Sequence, residues 1–295
     1  MPTSDRPATL PTHAWVDGGI VLADSPALPV IDQAYLTGMG VFETVRAEGG
    51  APLFFDAHHR RLADAASLFG LETPDPEKLD HAIRRLLKLQ GLETARIRVT
   101  VSGSASPDGT PFRPGGPART TVLAYPLRKG PEPPLRLITA PYRIDAGDPL
   151  AGRKCTSYAA HALAVMHARA QGGDEAVMRN IDGEITGGAA SNLFWVKGGR
   201  VHTPDTRCGC RPGVTRERVI AACAELGIPC ETIRAGTAHL TGADEIFATS
   251  AIRGVRAVGT LDGMEFKTTG PVTARLRETL IRAETNYARA GGGIF

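Results

Sequence analysis

The chain has 295 residues, a formal net charge of +3, and ordinary proportions of hydrophobic (42%) and charged (22%) residues. This length predicts two domains with separate cores, and so small a net charge does not indicate a nucleic-acid-binding protein. No apolar run is long enough for a membrane span, and the N-terminal segment MPTSDRPATLP lacks the apolar region of a secretion signal.

The first 125 residues are assigned to an N-terminal domain in which hairpins alternate with helices. Strands are predicted at 13–22, 41–47, 52–55, 96–102 and 120–125, and helices at 56–70 and after residue 76. Before the last of these strands, GSASPDGTPFRPGGPA is a long Pro/Gly-rich loop, of a kind that is often functional. Residues 126–134 are predicted to be an interdomain linker, because their prolines and glycine disfavour regular pairing.

Residues 135–295 are assigned to a C-terminal domain with interleaved strands and helices. Strands are predicted at 135–140, 175–179, 191–196, 201–203, 231–233 and 245–249, and helices up to about 171, at 215–226 and at about 271–290. The whole order predicts a mixed α+β protein.

The five cysteines are scattered and odd in number, which is typical of free thiols in a reducing cytoplasm. Cys208 and Cys210 are close enough in sequence to suggest a metal site. No second pair and no nearby histidine cluster completes such a site, so we predict no metal and a cytoplasmic location.

Lys154 lies in the segment Gly152-Arg153-Lys154-Cys155, between a predicted strand and a predicted helix. A lysine that acts as a nucleophile must lose its proton, which requires a partly dry pocket near positive charge. Such a pocket can form between a strand and a helix. Most lysines before a helix are solvated surface groups, however, so Lys154 becomes a candidate only together with other features.

Three other features are suited to binding an anion. Gly213-Val214-Thr215 opens a helix, where backbone N–H groups and a hydroxyl point outward. Thr249-Ser250-Ala251 ends a strand with two more hydroxyls, and Arg61 offers a planar guanidinium. Each feature alone is better explained without a ligand, for example Thr215 as a helix cap and Arg61 as a surface arginine. Together with a lysine they favour a phosphorylated cofactor, and pyridoxal phosphate has the matching aldehyde and phosphate.

Several ordered motifs carry a resemblance to a known family. They are GMGVFETVR, HHRRL, the Lys154 segment, DGEITGGAASNLF, HTP, PGVTRERV and ADEIFATSAIRGVRAV. Over nearly its whole length the chain resembles the class IV aminotransferases, the fold-type IV pyridoxal phosphate enzymes that include branched-chain and D-amino-acid aminotransferases and aminodeoxychorismate lyases. The resemblance implies a two-domain, D-amino-acid-aminotransferase-like fold, with a small N-terminal α/β domain and a larger C-terminal mixed α/β domain that binds the cofactor.

The resemblance also implies roles for single residues. Lys154 would be the Schiff-base residue for pyridoxal 5'-phosphate and would later move the α-proton of the substrate. The remaining cofactor-binding positions would be Arg61, Val214, Thr215, Ser250 and Ala251 at the phosphate, Tyr158 near the cofactor and Gly187 opposite the pyridine nitrogen. The substrate-binding positions would be Tyr35, Glu43 and Arg46, with Arg46 as the candidate for a substrate carboxylate. Asn192 would be structural, and the protein would be a homodimer.

Gly187 departs from the family pattern, which has a glutamate five residues before the asparagine of SNLF. In the family this carboxylate keeps the pyridine nitrogen protonated, which lets the ring accept electrons. Glu184 would point to the opposite face of an extended strand, and Asp182 lies in a turn, so neither is an obvious replacement. We therefore hypothesise that ordinary transamination is slowed or rerouted unless water or another chain supplies the partner.

The leading interpretation is a pyridoxal-phosphate-dependent aminotransferase whose partners are a small amino acid, amine or keto acid, with no nucleic acid and no membrane. The first alternative is an aminodeoxychorismate lyase that eliminates pyruvate, which the FATSAIRGVRAV stretch favours. The second alternative is a catalytically altered homologue that acts as a binding protein. Gly187 favours this last alternative, whereas the presence of Lys154, Arg61 and Thr215 together argues against it.

Overall fold

The structure is a computed structural model that describes residues 10–25, 27–104, 116–128, 130 and 132–290. Most of the N-terminal segment and of the predicted Pro/Gly-rich loop lies outside these ranges, as do two residues of the predicted linker. The described residues form a mixture of helices and strands, as predicted.

The chain divides into two compact units. Unit 1 contains the described residues within 1–130, 154–157 and 286–295, and unit 2 contains those within 131–153 and 158–285. The short segment Lys154–Ser157 therefore belongs to unit 1, although the residues on both sides of it belong to unit 2. The domain boundaries proposed from the sequence, at 125 and 135, stay a prediction.

Unit 1 is built on an antiparallel sheet. Its strands are β1 His13–Val16, β2 Gly19–Leu22, β3 Gly40–Glu48, β4 Ala51–Pro52, β5 Ala95–Ser102 and β6 Arg119–Pro126, and its helices are α1 Gln33–Thr37, α2 Phe55–Ser67 and α3 Pro76–Leu89. The strand order is β2-β1-β6-β5-β3-β4. Alternation along β3 buries Val41 and Val45 completely, and they share one core with Leu62 of α2 and Leu86 of α3.

Two local features of unit 1 differ from the sequence prediction. The helix α1 was not predicted, and it begins because the Asp32 side chain accepts hydrogen bonds from the backbone N–H groups of Ala34 and Tyr35. The strand predicted at 52–55 ends at Pro52, because Phe54 adopts a left-handed conformation (φ 50°) and α2 starts at Phe55 without a side-chain cap.

Unit 2 is built on a mixed sheet. Its strands are β7 Leu135–Ile144, β8 Glu175–Asn180, β9 Ile185–Gly188, β10 Asn192–Lys197, β11 Arg200–Pro204, β12 Cys230–Ile233, β13 Glu245–Ser250, β14 Gly254–Leu261 and β15 Met264–Glu265. The helices are α4 Ala159–Ala170, α5 Val214–Glu225, α6 Ala238–Thr241 and α7 Pro271–Arg289, the last of which ends in unit 1, and Thr206–Cys208 form a 3-10 turn. The order is β12-β11-β10-β13-β14-β7-β8-β9, with β15 on β14.

The middle of this sheet brings together residues that are distant in sequence. In the antiparallel pair β10–β13, Asn192 lies opposite Thr249, and Phe194 stacks on Phe247 with 4.9 Å between ring centres. The strand β14 was not predicted, because Arg256 interrupts its apolar run. The Arg256 guanidinium donates two hydrogen bonds to the carbonyl oxygen of Pro133, which compensates for its burial.

Candidate active site

The segment that contains Lys154 pairs with the start of β3 in unit 1. The carbonyl oxygen of Lys154 accepts a hydrogen bond from the backbone N–H of Phe42 (2.8 Å), and the N–H of Thr156 donates to the carbonyl oxygen of Gly40 (2.8 Å). The amine Nζ lies 4.8 Å from the centre of the Phe42 ring. The backbone of this lysine is thus fixed by pairing, and its amine packs over an aromatic face.

Glu43 lies at the centre of a buried ion cluster in unit 1. Arg61 donates from Nε and Nη2 to the two carboxylate oxygens, at 2.6 and 2.8 Å, and His58 Nδ1 lies 2.8 Å from Oε2. The side chains of Glu43 and His58 are only 2% and 3% exposed. This geometry is a bidentate arginine–carboxylate pair, with the histidine completing the hydrogen bonds of the carboxylate.

Burial and charge set the protonation states in this cluster. Burial alone would raise the pKa of Glu43, but Arg61 and His58 together hold it well below its ordinary value. Burial lowers the pKa of His58, with Arg61 and Lys154 adding to the effect, while Glu43 opposes it. The cluster therefore holds a carboxylate, a guanidinium and a neutral imidazole at neutral pH.

The predicted substrate residues occupy different surroundings within unit 1. Glu43 is 2% exposed, and both of its oxygens bind Arg61, so its observed contacts hold that arginine in place. Arg46 pairs with Glu48 at 2.8 Å. Tyr35 lies on α1 and is 78% exposed. The substrate roles of these residues, and the phosphate role of Arg61, stay predictions.

The phosphate-binding features of unit 2 centre on the start of α5. No side chain of the described residues caps this helix at Gly213, and the first N–H groups of a helix have no partner within it. Val214 and Thr215 occupy this first turn. At the end of β13, the Thr249 hydroxyl is buried without a hydrogen-bond partner among the described residues. An uncapped helix start and an unpartnered hydroxyl are both suited to an anion.

Asn192 connects these two features. It lies opposite Thr249 in the sheet, and its Nδ2 donates to the carbonyl oxygen of Arg211 at 2.8 Å. Its Oδ1 occupies the space that a Cβ on Gly213 would need, so a larger residue at the position before α5 would displace the Asn192 side chain. Asn192 thus links the segment before α5 to the strand pair β10–β13. Ser250 and Ala251 follow Thr249 directly, and the Ser250 hydroxyl accepts from the N–H of Arg253 at 3.2 Å.

Tyr158 begins the return of the chain to unit 2. Its hydroxyl donates to the carbonyl oxygen of Ala189 at 2.7 Å and accepts from Arg211 Nη2 at 3.1 Å. Its ring stacks on His161 with 4.3 Å between centres. Of the residues in this cluster, Arg211 and Ala189 were not singled out from the sequence, since they are distant from Tyr158 along the chain.

The two acidic residues just before Gly187, Asp182 and Glu184, both pair with Arg234. Glu184 accepts from Arg234 Nε at 2.7 Å and from Asn180 Nδ2 at 2.8 Å, and the exposed Asp182 lies 3.9 Å from Arg234. A third carboxylate, Glu175, was missed from the sequence. It is buried and accepts from the N–H of Ala190 and the Ser191 hydroxyl, and burial raises its pKa despite these hydrogen bonds.

The backbone conformation at Gly187 favours glycine over any residue with a Cβ. Its φ is 134°, and a Cβ would lie 3.1 Å from the carbonyl oxygen of Ser191. We expect Gly187→Ala to lower the free energy of unfolding by about 1–3 kcal/mol, measured by urea denaturation. Gly236→Ala is the control, because its Cβ would meet only the Gly183 carbonyl oxygen at 3.7 Å. Equal stability of the two variants would contradict the prediction.

The described residues contain neither a metal-binding cluster nor a membrane-spanning helix. All five cysteines are free thiols. No group of three or more His, Cys, Asp or Glu side chains in the described ranges is arranged to hold a metal ion. None of the helices formed by these residues combines the length and the apolar character needed to span a bilayer.

The family model described as Amino-transferase class IV matches residues 40–261 of the chain. The chain belongs to the class IV aminotransferase family. The chain is 30% identical over 246 residues to the aminodeoxychorismate lyase of Bacillus subtilis (strain 168), and the match covers 81% of this chain and 83% of the lyase.

Solved structures of the family are also similar to this chain. The T.th. branched-chain amino acid aminotransferase, complexed with N-(5'-phosphopyridoxyl)-L-glutamate, is 30% identical with a TM-score of 0.85, covering 94% of this chain and 95% of that one. The branched-chain aminotransferase of Thermoproteus uzoniensis, with norvaline, is 28% identical with a TM-score of 0.86, covering 92% and 94%. These matches confirm the predicted fold.

The family is pyridoxal-phosphate-dependent, so this class IV member is an enzyme, an aminotransferase or a related lyase, with pyridoxal 5'-phosphate as its cofactor. The cofactor prediction is thereby confirmed, and the alternative of an inactive binding protein loses support. The residues also fit the cofactor. The uncapped start of α5 and the unpartnered Thr249 hydroxyl suit its phosphate, and Lys154 supplies a primary amine.

Proposed function

We propose that the chain is an aminotransferase for an amino acid or amine, with Lys154 as its Schiff-base and proton-transfer residue. The observation that supports this most is the pairing of the Lys154 segment with β3, which fixes the lysine backbone while Nζ packs over Phe42. When bound, pyridoxal phosphate supplies an aldehyde for the amine and a conjugated ring that takes up negative charge from the α-carbon of the substrate.

The side chains of the chain supply binding and proton transfer. Lys154 Nζ would take the α-proton from the bound substrate and later return a proton to it. The N–H groups of Val214 and Thr215 hold the phosphate, and Ser250 and Ala251 add donors at the end of β13. The resemblance assigns Arg61, whose guanidinium is oriented by Glu43, to the cofactor phosphate as well.

A second candidate is a lyase that eliminates pyruvate from aminodeoxychorismate. The relative from Bacillus subtilis bears that name and shares 30% identity over 81% of this chain, which is the observation that favours it. The branched-chain aminotransferases of similar identity favour a branched-chain amino acid as the substrate of the first candidate.

Product analysis separates the two candidates. The cofactor-loaded enzyme is incubated either with D- and L-amino acids plus a keto acid, or with aminodeoxychorismate, and the products are identified by chromatography. We expect a new amino acid in the first incubation and no pyruvate in the second. Pyruvate formation that depends on Lys154 would establish the lyase instead, and neither product at saturating cofactor would contradict both candidates.

We propose in addition that the protein is a homodimer in the cytoplasm. Unit 1 carries a group of exposed apolar side chains, which is typical of an interaction surface. They are Leu28, Val30, Ile31, Tyr35 and Leu36. The free cysteines support a reducing compartment. Light scattering measures the oligomeric state, and a monomer would count against the proposal.

A further inference from the structure

We propose that Arg211 presents a guanidinium to the pyridine nitrogen of the bound cofactor, and that this nitrogen therefore stays unprotonated. The inference rests on the proposed function and on the position that the family resemblance implies for Gly187, opposite the pyridine nitrogen. It assigns a role to an arginine that the sequence motifs did not single out, and it explains what this chain has in place of the absent glutamate.

The Arg211 side chain is held in unit 2 with part of its donor capacity unused. Nη2 donates to the Tyr158 hydroxyl at 3.1 Å, and the guanidinium carbon lies 5.6 Å from the centre of the Tyr158 ring. Nε is buried and has no hydrogen-bond partner among the described residues. A buried donor without a partner is costly, which indicates that a ligand acceptor completes this environment.

Hydrogen bonds link both the backbone and the side chain of Arg211 to the segment that begins at Gly187. The Arg211 carbonyl oxygen accepts from Asn192 Nδ2, and the Asn192 Cα lies 3.8 Å from the point where a Gly187 Cβ would stand. Tyr158 links the Arg211 guanidinium to the carbonyl oxygen of Ala189. The guanidinium therefore lies beside the segment from which a glutamate side chain is missing.

The buried carboxylate Glu175 is not directed to the side of Gly187. In the pair β8–β9, Val177 lies opposite Gly188, and Met178 lies opposite Gly187. Opposite residues share a face of the sheet, so Glu175, two residues before Val177, is on the face of Gly188. Its contacts with Ala190 and Ser191 agree with this placement.

The chemistry of the two groups then decides the protonation of the ring. A guanidinium only donates hydrogen bonds and keeps its charge at neutral pH. It can therefore pair with a pyridine nitrogen only when that nitrogen is unprotonated and accepts the hydrogen bond. A neighbouring positive charge also disfavours a second one on the ring. An unprotonated ring takes up negative charge less readily, so we expect slow loss of the α-proton compared with an enzyme that has a carboxylate there.

The test uses the enzyme reconstituted with pyridoxal phosphate labelled with ¹⁵N in the ring, and reads the chemical shift of that nitrogen as a function of pH. We expect the shift of an unprotonated pyridine in the wild-type enzyme and the shift of a protonated pyridine in Arg211→Glu. Arg211→Leu serves as a second variant if the first does not fold, and its ring nitrogen should take up a proton at higher pH than in wild type. Arg234→Gln is the matched control, since that arginine pairs with Glu184 and should leave the shift unchanged.

The outcomes separate this inference from the proposed function. A wild-type ring nitrogen that is protonated, on a cofactor that borohydride fixes to Lys154, would overturn the role of Arg211 and leave the function of Lys154 standing. The same holds for an Arg211→Leu nitrogen that titrates as in wild type. Failure of borohydride to fix any cofactor to Lys154 would instead remove the proposed function itself.

Discussion

Replacing Lys154 with alanine should abolish turnover and remove the covalent attachment of pyridoxal phosphate. Loss of the proton-transfer group alone accounts for a fall in kcat of about 10²–10⁴-fold, and loss of the nucleophile adds to it. The backbone hydrogen bond between Lys154 and Phe42 does not need the side chain, so the fold should persist. Borohydride reduction followed by peptide mass mapping, together with kcat and Tm, measures these effects.

Lys197→Ala is the matched control for this experiment. Lys197 lies on the surface, where it is 63% exposed and pairs with Asp244 at 3.3 Å. We expect this variant to keep full activity and the same borohydride labelling as wild type, because an exposed ion pair contributes about 0–1 kcal/mol. A Lys154→Ala enzyme that still fixes cofactor after reduction would show that another amine forms the covalent bond.

Replacing Glu43 with alanine should destabilise the protein by about 3–5 kcal/mol, because it leaves the buried ring of His58 and the partly buried guanidinium of Arg61 without their shared partner. The cost arises from desolvation that is no longer compensated. The free energy of unfolding in urea measures the effect. Asp56→Ala is the control. Asp56 lies on α2, the helix that carries His58 and Arg61, and its exposed pair with Arg60 should contribute within about 1 kcal/mol.

The same cluster predicts a loss of stability in acid. Both His58 and Glu43 have lower pKa values in the folded state than in the unfolded state, so the unfolded state binds more protons as the pH falls. The contribution of His58 to the free energy of unfolding is complete above its ordinary pKa of 6.5 and declines as the pH falls below that value. The contribution of Glu43 declines as the pH falls below 4.5, the ordinary pKa of a glutamate. Glu43→Gln should flatten the lower part of this profile. An unchanged slope below pH 4.5 would contradict the assignment.

Local patterns allowed much of the fold to be predicted from the sequence. The alternation in VFETVRA correctly placed Val41, Glu43 and Val45 on one face of β3, and the segment PGVT correctly marked the start of a helix at Val214. These features depend on neighbouring residues alone. The left-handed Phe54 was missed because its conformation accompanies contacts with Tyr287, which lies far along the chain.

The candidate site was predictable only where motifs mark it. Lys154, Val214 and Thr215 could be singled out by position in a motif. Two contacts depend on how separate elements pack, and no local sequence pattern predicts them. They are the pairing of Glu43 with Arg61 and the hydrogen bond between Arg211 and Tyr158. For this reason neither contact was predicted from the sequence, and the substrate role that the resemblance implies for Glu43 stays a prediction.

The membership of Lys154–Ser157 in unit 1 has a practical consequence for protein engineering. Cutting the gene at the predicted linker would leave Lys154 on the fragment that lacks β3, and so would separate it from Phe42 and Gly40. Neither half could then be studied as an isolated enzyme. A split reporter or a domain exchange would have to carry the four-residue segment together with the N-terminal strands.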